Sequence, residues 1–240
     1  PPKLPSWLRR SHPIVRRYLR QPVSVRFQAL LLTLCAVVFF LFGGLSLPVL
    51  YGLFSLIILT QVTISSADKI YSERKASTWD LMRLAPFTQR ELLLSLWAAS
   101  MWQINRTWMM IVYRLLHGAV IVGLMVSSLI FAEIPSAQAL PLLLCGTLLI
   151  AAQPFTEMYF SGMVGLAGAN HVKDRASARS LAVGVVIVYW LSYVGAILAF
   201  LVLQQTRLTG TQMIGLFLLP LLLPIVLGYA ALRIAESALR

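Results

Sequence analysis

Arg114, His117 and Glu157 are the ionisable side chains that stand inside long apolar runs, where any chemistry at membrane depth would have to use them. A charge at the centre of a bilayer costs about 2.5 to 3.5 kcal/mol on insertion scales, so each needs an account. Arg114 has the reach to snorkel to an interface. His117, one turn along the same face, leaves two readings open, a hydrogen-bonded core residue or a proton relay. Glu157 either lines a substrate path or meets a structural partner near the end of its run. A short turn between the two runs makes them antiparallel neighbours, and Arg114 and Glu157 are expected to pair across them. Soluble catalytic signatures are missing. There is no Gly-x-x-x-x-Gly-Lys-Ser/Thr phosphate loop, no His-Glu-x-x-His zinc motif and no Gly-x-Ser-x-Gly elbow. His12, His117 and His171 lie far apart, and Cys35 and Cys145 sit in apolar runs with no Cys or His at ligand spacing. The sequence therefore reads as non-enzymatic, with no catalytic, metal or cofactor-binding residue of its own.

The polar stretch from Glu73 to Glu91 stands between these runs. Its spacing predicts two short helices joined at Pro86, each with its own start. Ser77 with Asp80 fits a capping box. Thr88 with Glu91 fits a second, in which the hydroxyl accepts from the third helical amide and the carboxylate reaches back to the cap amide, with Phe87 and Leu92 as a hydrophobic staple. Between those starts Leu81, Leu84 and Ala85 share one face, flanked by Trp79 and Met82, while Asp80 and Arg83 point elsewhere. That pattern is a short amphipathic docking helix.

The order Glu73-Arg74-Lys75, a small residue, Thr78-Trp79-Asp80-Leu81, then Leu84-Ala85-Pro86-Phe87-Thr88 and Arg90-Glu91 resembles the cytoplasmic segment between the second and third spans of ABC-2 type transporter permeases. It departs at Ser77, where that family often has Gly. The segment from His12 to Arg20 resembles the same family's amphipathic N-terminal helix. The resemblance implies a permease subunit of an ATP-driven exporter in the bacterial plasma (inner) membrane, paired with a second permease copy or homologue. It further implies a cytoplasmic ATP-binding subunit that carries ATP and Mg and is contacted by Glu73, Arg74, Thr78, Trp79, Asp80, Leu81, Leu84 and Pro86. The rival reading is a non-transporting structural or assembly subunit of a larger membrane complex.

Composition sets the frame for both readings. The 240 residues are 59% hydrophobic and 12% charged, with a mean hydropathy of +0.81, against roughly a quarter charged in soluble domains. A net charge of +12 in a soluble chain would suggest nucleic acid, but no basic patch here is interleaved with aromatics, and membrane orientation accounts for it. Residues 5–20 mix Trp7, Leu8, Ile14, Val15, Tyr18 and Leu19 with arginines, as an interfacial helix on a lipid bilayer does. They lack the compact apolar core and cleavage site of a signal peptide, and Pro1-Pro2 points to a start further upstream.

From Phe27 to Ser66 there is no charge, a length of roughly 60 Å as helix, twice the roughly 30 Å hydrocarbon core. The run must cross twice, reversing at Gly43-Gly44 and Pro48 to give spans near 27–43 and 47–66. A coupling segment over 67–106 follows, then spans near 108–131, 138–160, 180–206 and 208–234. Pro154, Pro220 and Pro224 are expected to bend their spans. Gly162, Gly165 and Gly168 fit either close helix packing or frayed interfacial backbone. The expected fold is thus all-α and polytopic, one domain over 1–240 with six transmembrane helices, an N-terminal interfacial helix and a coupling helix between spans two and three. Lys and Arg number seven in residues 1–26, six from Lys69 to Arg106, three from Lys173 to Arg179 and two at the C-terminus, whereas the opposite loops hold only Arg207. By the positive-inside rule both termini and the coupling segment face the cytoplasm.

Overall fold

A computed structural model describes residues 5–19, 47–131, 136–203 and 210–239, together with the isolated positions Thr33, Val37, Phe40, Leu41 and Gly43. Among the described residues there are helices and turns and no strand. A 3-10 turn at Ser6–Leu8 precedes α1 (Pro13–Leu19), α2 (Leu47–Lys75), α3 (Trp79–Leu84), α4 (Gln89–Asn105), α5 (Trp108–Phe131), α6 (Ser136–His171), α7 (Arg175–Leu203) and α8 (Gly210–Ser237). Five of them, α2, α5, α6, α7 and α8, are long and apolar enough to cross a membrane, which makes the chain a multi-pass membrane protein. The expected span 27–43 lies outside the described residues save for Thr33, Val37, Phe40, Leu41 and Gly43, as do most of the two turns expected near 132–137 and 207.

Two helices run past their expected ends. α2 has 29 residues and α6 has 36, lengths of about 44 and 54 Å at the helical rise, well beyond the hydrocarbon core. Nothing between Ser66 and Lys75 breaks a helix, so α2 continues from its apolar run into the polar stretch instead of stopping at 66. α6 continues likewise to His171 and passes uninterrupted through Pro141 and Pro154, as α8 does through Pro220 and Pro224.

α2 is the central helix. Leu50, Phe54, Ile58, Val62, Ser66 and Ile70 form a buried row at steps of four, and Tyr51, Ser55, Leu59, Thr63 and Ala67 form a second beside it, so two adjoining ridges are covered. α6 covers one of them at very short range. An added Cβ at Gly165 would overlap the Thr63 backbone carbonyl, and one at Gly162 would overlap the Trp97 ring. One bond fixes this crossing, from Thr63 Oγ1 to the Ser161 carbonyl at 3.0 Å, and Trp97 Nε1 on α4 donates to the Met158 carbonyl of α6 at 2.9 Å beside it. The glycines at 162 and 165 therefore serve close packing.

The polar ends meet at one end of the bundle. Arg74 donates to the Ala169 carbonyl at 2.8 Å and Asn170 to the Ala235 carbonyl at 3.3 Å, while Arg175 and Arg179 both hold Asp68. The C-termini of α2, α6 and α8 and the N-terminus of α7 are thus gathered together.

The N-terminal segment is not one continuous interfacial helix over 5–20. It folds as the 3-10 turn and α1, whose Ile14, Val15 and Tyr18 are buried. Its apolar face lies against the protein: Trp102 Nε1 donates to the Leu8 carbonyl at 2.9 Å, Gln103 Nε2 to the Tyr18 carbonyl at 3.1 Å, and the Trp7 and Trp97 rings sit 5.9 Å apart.

Candidate functional site

The elbow formed by α2, α3 and the start of α4 is shaped by how α2 ends. Ser77 has φ of 54°, its amide donates to the Arg74 carbonyl at 3.1 Å, and the Thr78 amide donates to the Glu73 carbonyl at 3.0 Å. These two bonds with a left-handed residue between them are a Schellman stop. Ser77 consequently closes α2 and is not the cap of α3. The expected Ser77–Asp80 box does not form, since Thr78 precedes α3, with helical φ and ψ and no side-chain cap bond. A non-glycine residue in the left-handed region carries strain of about 1 kcal/mol. Ser77→Gly is accordingly expected to raise the thermal unfolding midpoint, and an unchanged or lower midpoint would refute the strain.

The second start forms as expected in one half. Thr88 is extended, and its Oγ1 accepts from the Glu91 amide at 3.1 Å. The Glu91 carboxylate, however, accepts from Ser6 Oγ at 2.7 Å, tying the N-terminal segment to α4.

Of the eight residues expected at a partner surface, the fold turns several inward. Glu73 and Trp79 are buried, Arg74 is bonded to Ala169 and Asn170, and Thr78 donates to the Glu73 carboxylate. Glu73 also accepts from Tyr18 and pairs with Arg17 at 3.2 Å. Burial, and next the Glu73 carboxylate beside it, push the Tyr18 phenol well up, which keeps it a donor. The Arg74 guanidinium lies 5.8 Å from the Trp79 ring centroid. What stays exposed is Asp80, Leu81, Leu84 and Pro86. Leu81 and Leu84 are 66% and 82% exposed. Beside them opens a cleft of about 280 Å³ lined by Asp80, Arg83, Leu84, Phe87, Gln89 and Leu92. Arg83 and Gln89 both donate to the Leu239 carbonyl, at 2.7 and 3.2 Å, so the chain segment after α8 braces the elbow.

Lys69 supplies a residue that the sequence reading passed over. It is buried, and its Nζ donates to Ser65 Oγ and Ser100 Oγ at 2.8 Å each and to Gln103 Oε1 at 3.1 Å. Its position at the edge of the polar stretch gave it the look of a loop residue.

Among the intramembrane residues one expected contact does not form. Arg114 does not pair with Glu157. Its guanidinium donates to Asn105 Oδ1 at 2.8 Å and lies 5.1 Å from the Phe155 ring centroid, on an exposed face. Tyr113, the preceding residue, faces Glu157 instead and donates to its Oε2 at 2.7 Å. Successive helical residues point about 100° apart, so the rotation of α5 that buries Tyr113 necessarily carries Arg114 out, where a guanidinium keeps its hydration. Glu157 also accepts from Gln153 Nε2 at 2.9 Å and, more loosely, from the Tyr189 hydroxyl at 3.5 Å.

His117 is fully buried, with Nδ1 at 3.2 Å from the Tyr51 hydroxyl and Nε2 at 3.2 Å from the Leu149 carbonyl. A carbonyl only accepts, so Nε2 carries the hydrogen. Tyr51 reaches the Tyr193 hydroxyl at 3.5 Å. The signal for this cluster was present in the sequence. Tyr51 and Ser55, Tyr113 and His117, Gln153 and Glu157, and Tyr189 and Tyr193 are each polar pairs four apart in an apolar run, which places each pair on one helical face.

Comparison of the chain with family models, with curated proteins and with solved structures gives no match.

Proposed function

We propose that the chain is the membrane-spanning permease subunit of an ATP-driven exporter of the ABC-2 type, with the elbow as the seat of a cytoplasmic ATP-binding subunit. The observation that supports this most is the exposure of Leu81 and Leu84 on a short helix whose neighbours Glu73, Arg74, Thr78 and Trp79 are all engaged within the chain. Exposed leucines on a braced element away from the spans are the kind of apolar anchor that concentrates interface energy. The cationic end of the bundle, with Lys75, Lys173, Arg175 and Arg179, lies on the elbow's side and favours a cytoplasmic elbow in a plasma membrane. In this reading the partner supplies ATP, Mg and hydrolysis. Its movement passes through α3 into α2, whose end Ser77 closes, and so into the spans. A second copy or a homologue completes the translocation unit.

A second reading, a structural or assembly subunit without transport, is favoured by the complete burial and internal bonding of Glu157 and His117. Co-purification separates the two. The native chain is expected to bring down an ATP-binding subunit, and Leu81→Asp with Leu84→Asp to lose it at least tenfold while keeping the wild-type unfolding midpoint. The separated subunit should bind inside-out vesicles and not right-side-out ones. A stable native complex without any ATPase, or undiminished capture by the double variant, would overturn the export reading.

A further inference from the structure

Three arginines from separate elements gather at the last turn of α4. Trp102, Asn105 and Arg106 stand at steps of three and four, so they share one helical face. The Arg10 guanidinium lies 4.3 Å from the Trp102 ring centroid, that of Arg114 donates to Asn105 Oδ1 at 2.8 Å, and that of Arg106 donates to the Leu19 carbonyl at 3.3 Å. All three residues are exposed. Of the eight acidic residues in the chain all but Glu133 are described, and none of those pairs with any of the three guanidiniums. Like charges crowded on one turn repel, and nothing among the described residues balances them.

The cluster also borders lipid. Arg114 is six residues into the span α5, about 9 Å along it, and folds back toward the start of the helix to reach Asn105. Ile111 and Leu115 beside it are 62% and 69% exposed, and Val122 and Val126 continue the same exposed apolar stripe. Phe155 of α6, also exposed, has its ring centroid 5.1 Å from the Arg114 guanidinium and widens the stripe.

We propose that Arg10, Arg106 and Arg114 hold the headgroup phosphate of an anionic phospholipid whose acyl chains lie along the exposed stripe of α5 beside Phe155. The occupant has to satisfy both halves of this surface. A nucleotide or an acidic peptide would meet the arginines and gain nothing from an apolar stripe at membrane depth. A zwitterionic lipid would bring a further cation to a cluster that already holds three. Guanidinium forks match phosphate oxygens in bidentate geometry, and basic pockets at the ends of spans hold anionic headgroups. Arg10 belongs to the N-terminal segment and Arg114 to a span, so one bound lipid would tie the two together and link its binding to their stability. This inference rests on the spans and is independent of the export reading.

The test is thermal unfolding of the full chain in a neutral detergent, titrated with phosphatidylglycerol or with phosphatidylcholine of the same acyl chains. The wild type is expected to show a saturable rise in midpoint with phosphatidylglycerol and to need a several-fold higher concentration of phosphatidylcholine. The combined variant Arg10→Gln, Arg106→Gln, Arg114→Gln is expected to respond to both lipids alike, and Arg233→Gln, which removes an exposed arginine of α8, to keep the wild-type preference. Equal responses of the wild type to the two lipids would overturn the site, as would a preference that survives in the triple variant. A rise produced by inorganic phosphate alone would reduce the cluster to a simple anion site, and a rise that follows protein concentration instead of lipid would assign the surface to a second copy; either result overturns the proposal. Should the triple variant fail to fold, Arg10→Gln and Arg114→Gln decide singly: a several-fold loss of preference in each supports the site, and an unchanged preference in either refutes it.

Discussion

Gly165→Leu is expected to abolish the folded bundle, and Gly165→Ala to destabilise it by about 3 kcal/mol or more. The reason is what the new side chain meets. A Cβ at Gly165 runs into the carbonyl oxygen, carbonyl carbon and Cα of Thr63, all backbone atoms of the central helix. Relief requires α2 and α6 to move apart as rigid bodies. Overpacking that flexible side chains absorb costs about 1 to 3 kcal/mol. Separation here would in addition weaken the bond from Thr63 to Ser161, worth about 1 kcal/mol. Gly146 is the control, because the atoms nearest to a Cβ there, Sδ, Cγ and Cε of Met125, all belong to a flexible side chain, and a thioether chain can move aside. In detergent, Gly146→Ala should unfold close to the wild-type midpoint and Gly165→Ala several degrees below it. Equal midpoints for the two alanine variants would refute the close crossing.

Glu73→Ala is expected to release α1 and loosen the elbow, at a cost of about 3 kcal/mol. Glu73 is 1% exposed and receives the hydroxyls of Tyr18 and Thr78 and the guanidinium of Arg17. Arg17 is half exposed, and an ion pair with a solvated partner contributes little. The buried phenol decides the size of the effect. With the carboxylate gone, the Tyr18 hydroxyl is left with a long contact of 3.4 Å to the Lys69 carbonyl and the nearby Ser72 hydroxyl, and a buried donor left poorly satisfied costs about 1 to 3 kcal/mol, with bonds to a charged acceptor at the upper end. Glu73→Gln retains an acceptor oxygen and should lose less than half as much. Amide hydrogen exchange across residues 13–19 reads the release directly. Wild-type protection of α1 in Glu73→Ala would show that its apolar contacts with α4 hold it unaided.

The two variants probe features with different legibility in the sequence. Gly162 and Gly165 stand at a spacing that close packing and frayed backbone share equally, and only the positions of Trp97 and Thr63 opposite them distinguish the two. Ser77 is similar. Its hydroxyl three residues before Asp80 reads as a helix start, yet the α2 hydrogen bonds arrive first and use it as a stop. Thr88, by contrast, follows Pro86 directly after a helix-breaking turn, where no preceding helix competes for it, and its cap forms with Glu91 as the local pattern requires.

The sequence by itself determined that this protein is helical and crosses a membrane several times, that a polar elbow breaks at Pro86, and that the cations gather at one end. These are sums over neighbouring residues, which hydropathy and charge report without knowledge of what packs where. Only the tertiary structure decided that Tyr113 meets Glu157 while Arg114 turns out, that Trp79 and Glu73 face inward and leave Leu81 and Leu84 exposed, and that Lys69 is buried among Ser65, Ser100 and Gln103. A span that is apolar on every side carries no mark of which face is inside, so its rotation is set by the fit of side chains on the neighbouring helices. A turn of about 100° exchanges one residue of the site for the next.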